Sequence, residues 1–89
     1  MKNYSIQVTG TVQGVWFRKF TKDRALELGI NGFVKNLTDG SVYIEAEGGK
    51  RNLGKFLVVC SKGPDRAYVK KVVITEHRLK DYKHFTIET

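Results

Sequence analysis

Tyr4-Ser5-Ile6-Gln7-Val8-Thr9-Gly10-Thr11-Val12-Gln13-Gly14-Val15-Trp16-Phe17-Arg18 changes its hydrophobic period part-way along. Over residues 3–9, Tyr4, Ile6 and Val8 alternate with Ser5, Gln7 and Thr9, which predicts a strand with one buried face. From Phe17 the spacing turns helical. Phe17, Thr21, Ala25 and Leu28 share one face, and Gly29 supplies the stop. Between strand and helix, residues 10–18 carry glycines at 10 and 14, no acidic side chain, and an arginine at the end. Backbone N–H groups closing on a helix N-terminus make an anion site, and glycines let the chain curl towards a ligand. Arg18 adds a planar fork that can hold two oxygens of a phosphate. The residues alone read as an oxyanion cradle.

Downstream, residues 30–37 predict a second strand around Gly32, Phe33, Val34, Lys35 and Asn36. Thr38-Asp39-Gly40 is a turn signal, with Asp-Gly the hairpin dipeptide. Residues 41–47 place Val42, Ile44 and Ala46 inward against Tyr43, Glu45 and Glu47, a third strand with the acids facing water. Gly48-Gly49 breaks it. Leu53, Phe56, Leu57 and Cys60 then mark a helix over 50–61, stopped by Gly63-Pro64. Residues 67–77 predict a fourth strand, and Phe85 and Ile87 a short appended one. Strand, helix, strand, strand, helix, strand is the order of an α+β, ferredoxin-like split βαβ sandwich: a mainly antiparallel sheet with both helices on one face. No linker or low-complexity segment divides residues 1–89, so one domain is expected.

The chain has 89 residues, 40% of them hydrophobic and 28% charged, the composition of a folded globular protein. It shows no apolar run of membrane length and no secretory pattern at its start, so neither a membrane partner nor export is expected. One cysteine, Cys60, excludes an internal disulfide and suits a cytoplasmic location. With only two histidines, His77 and His84, a metal site is not expected, nor is any cofactor. The formal charge of +7 favours anionic partners without distinguishing RNA from a small phosphate ester, and a solvated basic surface accounts for it equally.

In a split βαβ unit the first two strands run parallel with the third between them. Their C-terminal ends share one rim, which brings the 10–18 loop within roughly 10 Å of Asn36. The Asn36 amide can accept from a water and donate to a developing charge. Taken singly, a strand-end Asn before Thr-Asp-Gly is most often a turn former, and a helix-start Arg is most often a surface residue. Arg18 nevertheless opposes the helix macrodipole, and a bound anion would offset that. His77, His84, Tyr68, Lys70 and Lys71 read as surface or sheet-edge residues, and Cys60 as a small buried hydrophobe.

Two segments resemble the signatures of the acylphosphatase family. Residues 8–18, with Val12-Gln13-Gly14-Val15 and a closing Phe17-Arg18, resemble its first. Gly32-Phe33-Val34-Lys35-Asn36, with Gly40-Ser41-Val42 and Gly48 at matching spacings, resembles its second. The resemblance covers nearly the whole chain. It implies metal-independent hydrolysis of acyl phosphates by a small stand-alone protein acting as a monomer on a small-molecule substrate. By the same resemblance Arg18 and Asn36 are the catalytic pair. Arg18 binds phosphate, together with the amides of Gln13, Gly14, Val15, Trp16, Phe17 and Arg18 itself, and Asn36 orients the water. Trp16 departs from the small residue of many relatives, which puts substrate size in question. The alternatives are an RNA-binding module and a non-catalytic anion-binding domain on the same fold. The predicted third strand carries one aromatic and two acids, a poor match to an RNA-stacking strand. No Gly-Lys-Ser/Thr follows the glycines, which excludes a nucleotide P-loop.

Overall fold

The computed structural model describes residues 1–88. The elements are β1 (Lys2–Thr11), α1 (Phe17–Leu28), β2 (Asn31–Asn36), β3 (Val42–Gly48), α2 (Lys50–Lys62), β4 (Tyr68–His77) and β5 (Phe85–Glu88). They form a single five-stranded sheet in the order β4-β1-β3-β2-β5. β3 lies antiparallel between β1 and β2, so those two run parallel, and β5 adds to β2 in parallel. The expected split βαβ sandwich is therefore the observed one, with element ends shifted by a residue or two. α1 packs over β2 and β5, and α2 over β1, β3 and β4.

Alternation along the strands builds the core. Ile6 and Val8 of β1, Val34 of β2 and Val42, Ile44 and Ala46 of β3 meet Phe17 and Ala25 of α1 and Leu53, Phe56 and Cys60 of α2. Full burial of each large side chain contributes about 1.5–3 kcal/mol. Cys60 is fully enclosed, and burial pushes its thiol well above its ordinary range, so it acts as a small hydrophobe. Leu26 points away from the core at 62% exposure, as its position on the helix wheel requires.

Three local readings change. Gly10 belongs to β1 and not to the loop: β1 shifts register against β4 between Thr9 and Gly10, a bulge. At φ 137° a Cβ on Gly10 would stand 2.1 Å from the Tyr68 carbonyl oxygen, so this glycine serves the close approach of two strands. The 38–40 hairpin is not a two-residue turn. Leu37 N–H donates to Ser41 O at 2.9 Å, leaving Thr38-Asp39-Gly40 as the loop with only Gly40 at positive φ. The Asp39 carboxylate accepts from the Ser41 amide (2.9 Å) and hydroxyl (2.6 Å), which sets the turn.

The third change concerns the face of the sheet away from the helices. Glu45 and Glu47 are buried, because the connection from β4 to β5 crosses that face from one sheet edge to the other. Glu47 accepts the backbone N–H of Lys80 (2.6 Å) and Tyr82 (3.0 Å) and the Asn3 amide (3.1 Å). Glu45 pairs with the Lys80 ammonium at 2.6 Å. Burial pushes both carboxyls upward. For Glu45 the Lys80, Tyr82 and Asn3 hydrogen bonds and the Lys80 charge outweigh it, and for Glu47 the Lys80, Asn3, Tyr82 and Asp81 hydrogen bonds do. Both sit below the usual carboxylate range. Burial, the Glu45 hydrogen bond and the charges of Glu45 and Glu47 push the Tyr82 phenol up to about 12. Tyr82 also meets the Phe33 ring edge-on, and Asn31 donates to its carbonyl at 3.0 Å. The crossing segment is thus tied down along its length, and it delivers β5 to the far side of β2.

Candidate active site

Residues 12–16 connect β1 to α1 with the side chains of Val12, Val15 and Phe17 packed into or against the core. That anchorage leaves the intervening backbone at the rim of the sheet. Gly14 has φ 73° and Trp16 φ 67°, both left-handed. In a bulky residue that conformation costs about 1–2 kcal/mol, so Trp16 marks a place where the fold imposes its geometry. Trp16 is also the N-cap of α1, and it supplies no side-chain hydrogen bond to the helix. The first backbone bond of the helix is Phe20 N–H to Trp16 O at 3.0 Å. The amides of Phe17, Arg18 and Lys19 therefore carry no intrahelical partner, and the first turn contains no acidic residue. Open donors, a positive helix end and two cations in one turn call for an anion.

A cavity of about 440 Å³ opens at this point, lined by Val12, Gly14, Trp16, Arg18, Lys19, Asn36 and Ile87. The structure thus brings Arg18 and Asn36 to one space, as the parallel placement of β1 and β2 required. The Asn36 Oδ1 is buried with no hydrogen-bond partner. An orphaned acceptor costs about 1–3 kcal/mol, and in a cavity lined by cations it is explained by a donor that arrives with a ligand or water. Arg18 reaches across to β5, where its guanidinium donates to the Glu88 carbonyl at 3.4 Å. The Lys19 ammonium lies 3.0 Å and 3.1 Å from the two carboxylate oxygens of Asp23.

Gln13, Val15 and Phe17 are not among the residues that line the cavity. The Gln13 side chain has another use. Its Nε2 donates to Leu37 O at 2.8 Å and to Ser41 O at 2.9 Å, joining the loop to the hairpin that follows Asn36. Val12, Lys19 and Ile87 were not foreseen. Val12 and Lys19 flank residues already singled out, whereas Ile87 sits on a short strand whose place beside β2 no local pattern announces. The cavity lining holds no carboxylate, thiol or imidazole. Among the described residues no three His, Cys, Asp or Glu side chains gather as metal ligands. His77 lies on the other face of the sheet with its Nε2 2.8 Å from Ser5 Oγ, and His84 uses its backbone carbonyl to accept from Gly32.

Comparison with known proteins converges on one family. The family model described as Acylphosphatase matches residues 4–87. The chain is 47% identical over 88 residues to an acylphosphatase of Thermotoga petrophila, covering 99% of this chain and 98% of the relative. It is 48% identical over 82 residues to one of Archaeoglobus fulgidus, covering 92% of each. The crystal structure of acylphosphatase from Bacillus subtilis superposes with a TM-score of 0.97 at 38% identity, over 100% of both chains.

Proposed function

This chain belongs to the acylphosphatase family and hydrolyses acyl phosphates to a carboxylate and inorganic phosphate, and on that premise we propose how its cavity performs the reaction. The phosphoryl group sits against the backbone amides of residues 13–18 at the start of α1. Arg18 spans two of its oxygens, held in position by the Glu88 carbonyl. Lys19 adds positive charge at the same mouth. Asn36 accepts a hydrogen bond from the attacking water through Oδ1. The observation that carries this reading is that Arg18, Lys19 and Asn36 line one cavity at the open amide end of α1, with the Asn36 Oδ1 left without a hydrogen-bond partner.

The water oxygen forms a new bond to phosphorus while the bond from phosphorus to the acyl oxygen breaks, and the carboxylate leaves with the electron pair. A carboxylate is a good leaving group, so positioning and charge stabilisation suffice. No side chain of the lining can take the water's proton, which passes to a non-bridging oxygen of the substrate's own phosphoryl group. Catalysis is then assisted by the substrate and needs neither metal nor cofactor.

We also read the protein as a cytoplasmic monomer without a nucleic-acid partner. Of the exposed apolar residues, Leu26, Val58 and Leu79 lie apart, on α1, α2 and the β4–β5 connection, while Tyr68, Val73 and Ile74 are on the edge strand β4. Among the described residues no helix is long and apolar enough to cross a membrane. The sheet face that single-strand RNA binders of this topology leave open is here crossed by residues 78–84 above two acids, so the RNA reading gains no support.

The test is hydrolysis of benzoyl phosphate followed by absorbance, with chelator present throughout. Wild-type turnover should persist, and Arg18→Ala should lose about 10³-fold or more, the scale of arginine contacts in phosphoryl transfer. Wild-type rates in Arg18→Ala would remove Arg18 from the site.

A further inference from the structure

The cavity is lined by residues of two kinds. Gly14, Arg18, Lys19 and Asn36 supply the donors and charge that a phosphoryl group and its water need, whereas Val12, Trp16 and Ile87 supply only apolar surface. At about 440 Å³ the space falls within the range of small-molecule sites, about 300–1,000 Å³, and exceeds what a phosphate and one water fill. We propose that Trp16 and Ile87, with Val12 behind them, form an acyl-group subsite that selects acyl phosphates with a flat, apolar acyl group, aroyl phosphates above all. This rests on the assignment of the phosphoryl end to Arg18 and the amide loop.

Three observations carry it. Trp16 is 75% exposed and Ile87 39% exposed, so both present apolar surface to solvent at the mouth of a site. Trp16 does so in a left-handed backbone conformation that glycine adopts freely, which makes it an unfavourable placement for an indole that no ligand covers. An aromatic acyl group stacked on that ring removes the exposed surface. Second, the apolar wall is fixed relative to the anion end. Ile87 precedes Glu88, whose carbonyl accepts from Arg18, so one short strand holds both the phosphate anchor and one side of the acyl wall. Third, the lining carries no charge beyond Arg18 and Lys19, and both serve the phosphoryl group, which leaves none to neutralise a second carboxylate or phosphate on the acyl group.

The experiment compares kcat/KM for benzoyl phosphate and acetyl phosphate in wild type, Trp16→Gly and Ile87→Ala. Glycine keeps the positive φ available, so the loop retains its path. The benzoyl-to-acetyl ratio should fall about tenfold in Trp16→Gly and several-fold in Ile87→Ala, the scale of removing apolar contact from a specificity pocket. Trp16 is the only tryptophan, which gives a second reading without turnover. Benzylphosphonate should shift or quench its emission well beyond inorganic phosphate, whose contacts lie at the polar end. Equal loss on both substrates in Trp16→Gly, or identical emission with the two ligands at saturation, would overturn the subsite while leaving hydrolysis at Arg18 intact. Absence of turnover on both substrates in folded wild type would instead overturn the site assignment, and the subsite with it.

Discussion

Removing the Gln13 side-chain amide tests whether the phosphate loop and the water-orienting residue are held as one unit. Among the described residues Gln13 is the only one whose side chain hydrogen-bonds from residues 12–16 to the 37–41 hairpin, through bonds of 2.8 Å to Leu37 O and 2.9 Å to Ser41 O. Gln13→Met preserves length and apolar contact but has no donor. Each part-buried hydrogen bond of this kind contributes about 0.5–1.5 kcal/mol net. Both carbonyls keep another partner, since Leu37 O accepts from Gly40 N–H at 3.2 Å and Ser41 O from Leu37 N–H at 2.9 Å. Neither becomes an orphan, so the expected loss is about 1–3 kcal/mol, at roughly 4–8 °C in Tm per kcal/mol for a domain of this size. Catalysis should suffer more than stability. The loop would be free to drift from Asn36, and a misplacement of about 1 Å costs up to ~10²-fold. Melting by circular dichroism and steady-state kinetics on benzoyl phosphate read the two effects separately. The expected result is a fall in kcat larger than any rise in KM. If Gln13→Met kept both Tm and kcat, the packing of Val12, Val15 and Phe17 would suffice to position the loop, and the bridge would carry no catalytic consequence.

Asn36→Ala should lower kcat by roughly 10²–10³, the scale of one oriented polar group, while inhibition by inorganic phosphate stays near wild type; equal loss of phosphate affinity would make Asn36 a ligand contact. Gly10→Ala should destabilise by about 3 kcal/mol or more, seen as a lower urea midpoint, because its Cβ meets the Tyr68 carbonyl at 2.1 Å. Gly14→Ala, with nothing within 4 Å, should cost only the backbone strain of about 1–2 kcal/mol, so equal midpoints in the two variants would refute this account of Gly10. Glu45 and Glu47 titrate below 4.5, so in the acid range the unfolded chain binds more protons, and their contribution is complete above pH ~4.5 and lost as pH falls through the lower folded values. Tyr82 is raised from 10.0 to about 12, so its contribution is complete below pH 10 and disappears between 10 and 12. Tm measured against pH should fall at both ends, and Glu47→Gln should flatten the acid limb; an unchanged acid limb in that variant would detach Glu47 from it.

The parts of this molecule legible in its sequence are those whose signals are local. Alternation placed β1 to β4, helical spacing placed α1 and α2, and the parallel relation of β1 and β2 put Arg18 and Asn36 at one cavity. Glu45 and Glu47 show where that reasoning stops. Their alternation with Ile44 and Ala46 assigned them to the outer face, as observed, but whether an outer face is wet depends on what else crosses it. The crossing segment, around Lys80-Asp81-Tyr82, has no hydrophobic period of its own and is held by hydrogen bonds to those same acids. Gly10 misled for a related reason. A glycine at the end of a strand signals either a loop or a close approach of backbones, and only the position of Tyr68 on β4 decides between them. Ile87 and the Glu88 carbonyl escaped notice because their relation to Arg18 spans most of the chain.

That long-range closure has a kinetic meaning. The anion loop and α1 lie in the first third of the sequence, yet the Arg18 side chain finds its backbone acceptor at residue 88, and β4, which pairs with β1, follows both helices in the chain. A chain emerging from the ribosome therefore exhibits the signature motif long before it can exhibit an ordered guanidinium, and maturation of the site should coincide with docking of β5. Contacts this distant in sequence slow folding relative to a helical protein of equal length. In a refolding experiment, activity should return with the slowest protection of the β5 amides, well after helical signal is complete.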